Sequence, residues 1–242
     1  MASTRTTANM PINYQEQLAA EAKAIASRIG AASGDRIRFN GNQGFVTPDG
    51  SDGSTMEVVV VDFMSANMFY DSAFDANNPQ PPACFAIGPE PLMLVPSANS
   101  PDKQADVCSS CPMNAFGSAG RGKACKNTRL LAVIPVSALE DGDADTAPIW
   151  VMSVPPSSVR TFDSYVKTLS VRHNTVPIGV VTRVTMDKGV SFAAPQFAVA
   201  RPLELDSEVG EVMARRAESR TRLMTEPDVS QYTPPSARTR RR

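Results

Sequence analysis

The chain has 242 residues and a mass of 25.9 kDa, which suits one domain with an appendage or two small domains. No run of about 18 apolar residues occurs and residues 1–10 lack a signal-peptide core, so the sequence predicts no membrane span and a reducing, cytoplasmic location. The net charge of −1 gives no indication of nucleic-acid binding, so any such prediction must rest on a local basic cluster.

The first part of the chain predicts a helix followed by strands. Residues 1–12 are polar and are predicted to be flexible, and a helix with capping-box spacing at its start is predicted over residues 13–29. Alternating apolar residues predict a strand at 36–39 that returns at 45–47. The β-branched run within residues 56–63 predicts a central strand.

The second part predicts strands on either side of a helix. Apolar runs predict strands at residues 129–135, 149–154, 178–186 and 197–200. A helix is predicted over 158–173, and an amphipathic, Arg-rich helix within 204–224. The tail, residues 225–242, combines Pro, Thr, Ser and Arg without apolar periodicity, so we expect it to be disordered. The whole pattern favours one α+β domain, residues 13–203, built on a mainly antiparallel sheet or small barrel with flanking helices.

All four cysteines fall in one window of the sequence, at Cys84, Cys108, Cys111 and Cys125. The Cys-x2-Cys pair suits tetrahedral zinc, because two thiolates from one tight turn can bind one ion. The stretch from residue 84 to residue 125 has little periodicity, and a loop of that length in a compact domain needs an internal support. We therefore expect a zinc-binding insertion over 84–125 with one structural zinc per chain. A redox pair, disulfides and ordinary buried thiols are the alternatives.

The segment between the last two cysteines is rich in glycine and in basic residues. Residues 117–123 have the spacing of a phosphate-binding P-loop, but Ala124 stands where Ser or Thr would bind magnesium. Residues 117–129 contain no acid and four basic residues, Arg121, Lys123, Lys126 and Arg129. Because glycines let backbone amides approach a phosphate closely, the segment favours a cationic flap that binds phosphates. A solvated basic loop is the alternative.

Aromatic and further basic side chains extend this predicted surface. Phe116 and Tyr70 are candidates to stack on bases while Lys and Arg neutralise phosphates. Arg36 and Arg38 lie two residues apart on a predicted strand and would add charge to one face of the sheet. The alternative for these two arginines is a solvated outer face.

Three motifs stand out around the cysteines: PPACFAIG at residues 81–88, CSSCPMNAFGS at 108–118 and GKACK at 122–126. Together they resemble a family of tailed-phage proteins, the zinc-containing single-stranded-DNA-binding proteins of phage replication modules. The resemblance implies an oligonucleotide-binding (OB) barrel with a zinc subdomain, in which the four cysteines are the zinc ligands and Arg121, Lys123 and Lys126 face DNA. Such proteins often end in an acidic tail that recruits partners, whereas this chain ends in three arginines.

The resulting prediction is an OB-like, non-enzymatic protein that binds single-stranded DNA with little sequence preference in phage replication or recombination, with replication or recombination proteins as further partners. One alternative is a nucleic-acid-processing enzyme, a nuclease or polymerase accessory factor, with Asp62, Asp71 and Asp75 as candidate metal-binding carboxylates. Another is a zinc-stabilised structural or virion protein. His173 is the only histidine and no nucleophile motif lies near it, so no catalytic residue is predicted.

Overall fold

The computed structural model of the chain describes residues 35–75, 77–142, 144–204 and 207–235, all within one unit that begins at Asp35. The flexible segment predicted for residues 1–12 and the helix predicted over 13–29 lie outside the described residues. The end of the predicted tail, residues 236–242, also lies outside them.

The described residues form a mixed α+β structure around one strongly curled, half-barrel sheet. Its nine strands are β1 (Arg36–Asn40), β2 (Gly44–Val46), β3 (Asp52–Gly53), β4 (Thr55–Phe69), β5 (Cys84–Gly88), β6 (Cys125–Pro135), β7 (Trp150–Val154), β8 (Val180–Met186) and β9 (Pro195–Pro202). The order across the sheet is β3-β2-β1-β7-β6-β4-β8-β9, and β5 pairs with β4. β1 and β7 are parallel, and the other paired strands are antiparallel.

Strand β4 organises the sheet, because its β-branched run Val58–Val61 is buried on both faces. It pairs with β6 along most of its length, and the pairing register shifts between Val60 and Asp62. Such a bulge bends a strand and increases its twist, which favours the curl of the sheet. Its other edge is shared: the N-terminal part pairs with β8, and the C-terminal part, from Ser65 to Phe69, pairs with β5.

Four α-helices of the described residues cover the two faces of the sheet: α1 (Val136–Glu140), α2 (Val159–His173), α3 (Glu208–Ala214) and α4 (Arg216–Leu223). Helix α2 buries Phe162, Tyr165 and Leu169 in one core cluster. Helices α3 and α4 bury Val212 and Leu223 in the cluster on the opposite face. The sheet therefore has an apolar core on each side, and α2 shares its face with the odd-numbered residues of β6, such as Leu131.

The C-terminal region differs in two ways from the sequence-based expectation. The Arg-rich helix is divided into α3 and α4 at Arg215, whose guanidinium donates hydrogen bonds to the carbonyl oxygens of Ala144 and Ala147. Residues 225–235, part of the segment expected to be disordered, contact the domain. Glu226 accepts hydrogen bonds from Ser97 and Asn99, and the Tyr232 hydroxyl donates one of 2.6 Å to Asp71. These anchors are polar, so apolar periodicity gave no sign of them.

No helix in the described part of the chain has both the length and the apolar character needed to cross a bilayer.

Candidate nucleic-acid interface

The register of β4 places two of the cysteines on one face of the sheet. Cys84 on β5 and Cys125 on β6 both lie opposite Phe69, one on each side of it. Directly opposed residues of antiparallel strands share a face, so both thiols project to the side on which α2 lies. Their backbones are two strand spacings apart, which is about 10 Å in a flat sheet and less in a curled one.

The other two cysteines come from a pair of short 3₁₀ turns, Cys108–Ser110 and Pro112–Asn114, with Cys111 between them. The first turn is anchored by the Cys108 amide, which donates to the Leu94 carbonyl at 3.0 Å, and by Asn114, whose side chain donates to the Cys108 carbonyl at 2.7 Å. All four cysteines line one cavity of about 10 Å³, together with Asn67 and Phe69.

The four thiols are free and electrostatically coupled. Burial, together with the other three thiols, raises the pKa of Cys125 to about 12, and Lys123 opposes that rise. Burial also raises the pKa of Cys108, and a hydrogen bond with the Asn67 side chain opposes that rise. Among the described residues, no group of three or more His, Cys, Asp or Glu side chains has the spacing of a formed metal site. The cysteines therefore share one cavity without closed coordination geometry.

The loop between β5 and the first 3₁₀ turn has a support that the sequence did not reveal. The amides of Ser97 and Asp102 donate to the carbonyls of Phe85 and Ala83, each at 2.8 Å. The Ser100 hydroxyl accepts from the Phe85 amide and donates to its carbonyl, so it acts as a strand partner. The free edge of β5 is thus covered by its own loop, through hydrogen bonds that involve none of the thiols.

The predicted flap is a tight turn in the structure. The amides of Gly117 and Ala119 both donate to the Gly122 carbonyl, at 3.0 and 3.1 Å. Gly117 and Gly120 have φ values of 92° and 66°, which side-chain-bearing residues rarely adopt, so glycine is required at both positions. The turn leaves Phe116 at its base with 81% of its surface exposed, and it exposes Arg121 at its tip.

A groove of about 730 Å³ separates the flap from helix α2, and we call it the first groove. Phe116, Lys123, Lys126 and Asn127 line it from the flap and β6, and Arg160, Asp163, Ser164 and Lys167 line it from α2. Asp163, the one acid among these lining residues, is already bound by Arg129 through two hydrogen bonds of 3.0 and 2.8 Å. The groove therefore presents four cationic side chains, an exposed aromatic ring and no unpaired acid.

A second groove, of about 900 Å³, lies on the other side of Lys126. Its lining includes Tyr70 and Phe74, which are 41% and 86% exposed, and two small residues that precede β6, Ala119 and Ala124. Lys126 is a lining residue of both grooves, so the two grooves adjoin at this side chain.

The structure brings some of the predicted nucleic-acid contacts together and separates others. Phe116, Lys123 and Lys126 line the first groove, and Tyr70 lines the second. Lys123 also donates to Asn114 and Asn127, at 3.1 and 2.9 Å, and so ties the flap to the cysteine loop. The side chain of Arg129 is only 12% exposed and is engaged by Asp163. The remaining predicted contacts are exposed but line neither groove: Arg121, Arg36 and Arg38.

Two groove residues, Arg160 and Lys167, were missed by the sequence analysis. Together with Asp163 and Ser164 they recur at helical spacing on the face of α2 opposite to buried Phe162 and Leu169. That polar stripe was visible in the sequence. Its proximity to the flap was not, because the two segments are separated along the chain by β6, α1 and β7.

The carboxylates considered for a nuclease do not form a cluster among the described residues. Asp62 is buried on β4, where Arg216 and Arg220 of α4 approach it at 3.7 and 3.5 Å. Asp71 instead accepts the hydrogen bond from Tyr232.

Comparisons with protein-family models, with curated proteins and with solved structures found no match to this chain. Its function must therefore be inferred from its residues and their geometry.

Proposed function

We propose that this chain is a non-enzymatic protein that binds single-stranded DNA without sequence preference. The first groove carries the proposal, because its unpaired charges are cationic and come from two walls, the flap with β6 on one side and helix α2 on the other. Lys123, Lys126, Arg160 and Lys167 can neutralise successive phosphates, a contact that carries no sequence information.

Phe116 favours a single strand over a duplex. Its ring is largely exposed at the wall of the groove, and an exposed ring can stack on a base only where that base is unpaired. Stacking is tolerant of sequence because every base has a π face. The pairing of Asp163 with Arg129 removes the one negative charge that would repel a phosphate there.

Structural zinc is part of the proposal, and the four cysteines fit it in number, in kind and in sharing one small cavity. The raised pKa values of Cys108 and Cys125 fit as well, since thiols that are protonated without a cation become thiolates beside one. Closure requires the sulfurs to come within about 4 Å of one another, given Zn–S bonds of about 2.3 Å. Cys125 lies between Lys123 and Lys126, so zinc would fix the wall of the groove.

The curled half-barrel is compatible with the OB-like barrel implied by the family resemblance. On that basis we assign the protein to the sequestration of single strands in phage replication or recombination, with proteins of those processes as further partners.

A fluorescence titration with labelled oligonucleotides tests the proposal. Single-stranded and double-stranded DNA of the same sequence are titrated with the full chain at two salt concentrations. We expect tighter binding of the single strand, weakened at the higher salt because counterions released on binding are more concentrated there. Equal affinity for unrelated sequences is also expected. No affinity for DNA at low salt would overturn the proposal in favour of a structural protein. Magnesium-dependent cleavage of the labelled oligonucleotide would overturn it in favour of a nuclease.

A further inference from the structure

We infer that the second groove binds nucleobases and continues the path of the strand that the first groove holds by its phosphates. This inference rests on the proposed function, and it assigns Phe74, together with Tyr70, as the stacking platform.

The linings of the two grooves have different chemistry. The first has four cationic side chains and one aromatic ring. The second has one cationic side chain, Lys126, one acid, Asp71, and two exposed aromatic rings, Tyr70 and Phe74. A lining with balanced charge gives phosphates no net attraction, whereas two rings beside small alanine side chains give flat, apolar space for bases.

Phe74 is not part of the packed core of the described residues. It is 86% exposed, and within the described residues it belongs neither to a core cluster nor to an aromatic pair. Tyr70 beside it is less exposed and directly follows β4, so the sheet fixes its position. One ring is thus positioned by the sheet, and the other is exposed in the same groove, where a base can contact it.

Lys126 connects the two grooves. It lies on β6 directly opposite Met68 of β4, which precedes Tyr70 by two residues, and the Lys126 side chain contributes to both linings. A strand that crosses Lys126 would keep its phosphates on the α2 side and turn its bases toward Tyr70 and Phe74.

The test compares normal with abasic oligonucleotides, using the zinc-loaded full chain. Phe74→Ala should weaken binding of a normal single strand by roughly 5- to 150-fold, the range of one stacked base, and leave the salt dependence unchanged. On an oligonucleotide whose bases are removed throughout, the same substitution should have no effect, because the ring then has nothing to stack on. Phe192→Ala is the matched control, since Phe192 is also exposed, at 53%, but lines neither groove.

The outcomes separate this inference from the proposed function. If the wild-type chain binds no single strand, the proposed function fails and the inference fails with it. If the wild-type chain binds but Phe74→Ala matches Phe192→Ala, the inference alone is wrong. An equal loss on normal and abasic DNA would also contradict it, because the ring would then act on the backbone or on the fold.

Discussion

Arg129 and Lys126 lie three residues apart on β6, and both belong to the acid-free basic run of the sequence. Their environments differ. Arg129 points to the α2 side and makes a two-point contact with Asp163, whereas Lys126 is exposed between two grooves. The sequence predicted the same role for both, because spacing shows charge but not which charge already has a partner.

Arg129→Ala is therefore expected to act on stability rather than on the salt dependence of DNA binding. Loss of a largely buried, charge-assisted contact should lower the free energy of unfolding by about 1–2 kcal/mol, since Asp163 stays partly hydrated. Lys126→Ala is the comparison, with little effect on stability. Urea unfolding of both variants measures the difference. The assignment of Arg129 as a structural residue is wrong if the two substitutions change stability equally.

The cysteine loop is the element in which sequence and structure complement each other most. Clustering of the cysteines along the sequence predicted that they share one site. The register of β4 with β5 and β6 explains why Cys84 and Cys125 lie on the same face of the sheet, on either side of Phe69. The sequence predicted that Cys84 lies at the edge of a strand and that Cys125 directly precedes one, but it did not predict the bounds of β5 or the start of β6 at Cys125. The pairing of these residues depends on the length of β4 and not on local periodicity. By contrast, α2 was predicted within one residue of its N-terminus, since its apolar stripe is long and regular.

Zinc removal should loosen only part of the insertion. We expect one zinc per chain by elemental analysis, and faster hydrogen exchange after chelation over residues 108–125. The segment that contains Ser97 and Asp102 should keep its protection, because its hydrogen bonds to β5 do not involve the thiols. A chain that is folded and free of metal as purified would refute structural zinc.

The ion pair between Arg201 of β9 and Glu208 of α3 makes the free energy of unfolding depend on pH, with lower stability at acidic pH. Hydrogen bonds from Arg201 hold the pKa of Glu208 below its ordinary value of 4.5, although burial opposes this. The pair therefore contributes its stability, roughly 1 kcal/mol or less for partly exposed groups, above pH 4.5, and loses it as the pH falls through the lowered pKa.

Glu208→Gln should accordingly be less stable than the wild type at neutral pH, and the difference should shrink below pH 4.5. Urea unfolding of both proteins at several pH values measures it. A difference that stays constant down to pH 3 would be evidence against the ion pair as its source.

At the scale of the whole molecule, residues 225–235 connect distant parts of the surface. Glu226 binds Ser97 and Asn99 of the cysteine insertion, and Tyr232 binds Asp71 beside the second groove. A chain ending at Met224 should be less stable than one ending at Pro235 by about 1–3 kcal/mol, the sum of a few partly exposed hydrogen bonds. This corresponds to about 2–4 °C in melting temperature per kcal/mol. Equal melting temperatures would show that the segment is not held in solution.

The two-walled cationic groove is the central claim, and the salt dependence of single-strand binding tests it most directly. The groove variant combines Lys126→Ala with Arg160→Ala, one substitution from each wall. The control variant combines Lys103→Ala with Arg172→Ala. Lys103 is an exposed lysine, Arg172 lies on α2 as Arg160 does, and neither lines a groove. Both double variants have the same net charge. The slope of log affinity against log salt should become shallower by about 1.4 for the groove variant and stay unchanged for the control, since each phosphate contact contributes about 0.7. Equal slopes in the two variants would contradict the assignment of this groove as the DNA-binding site.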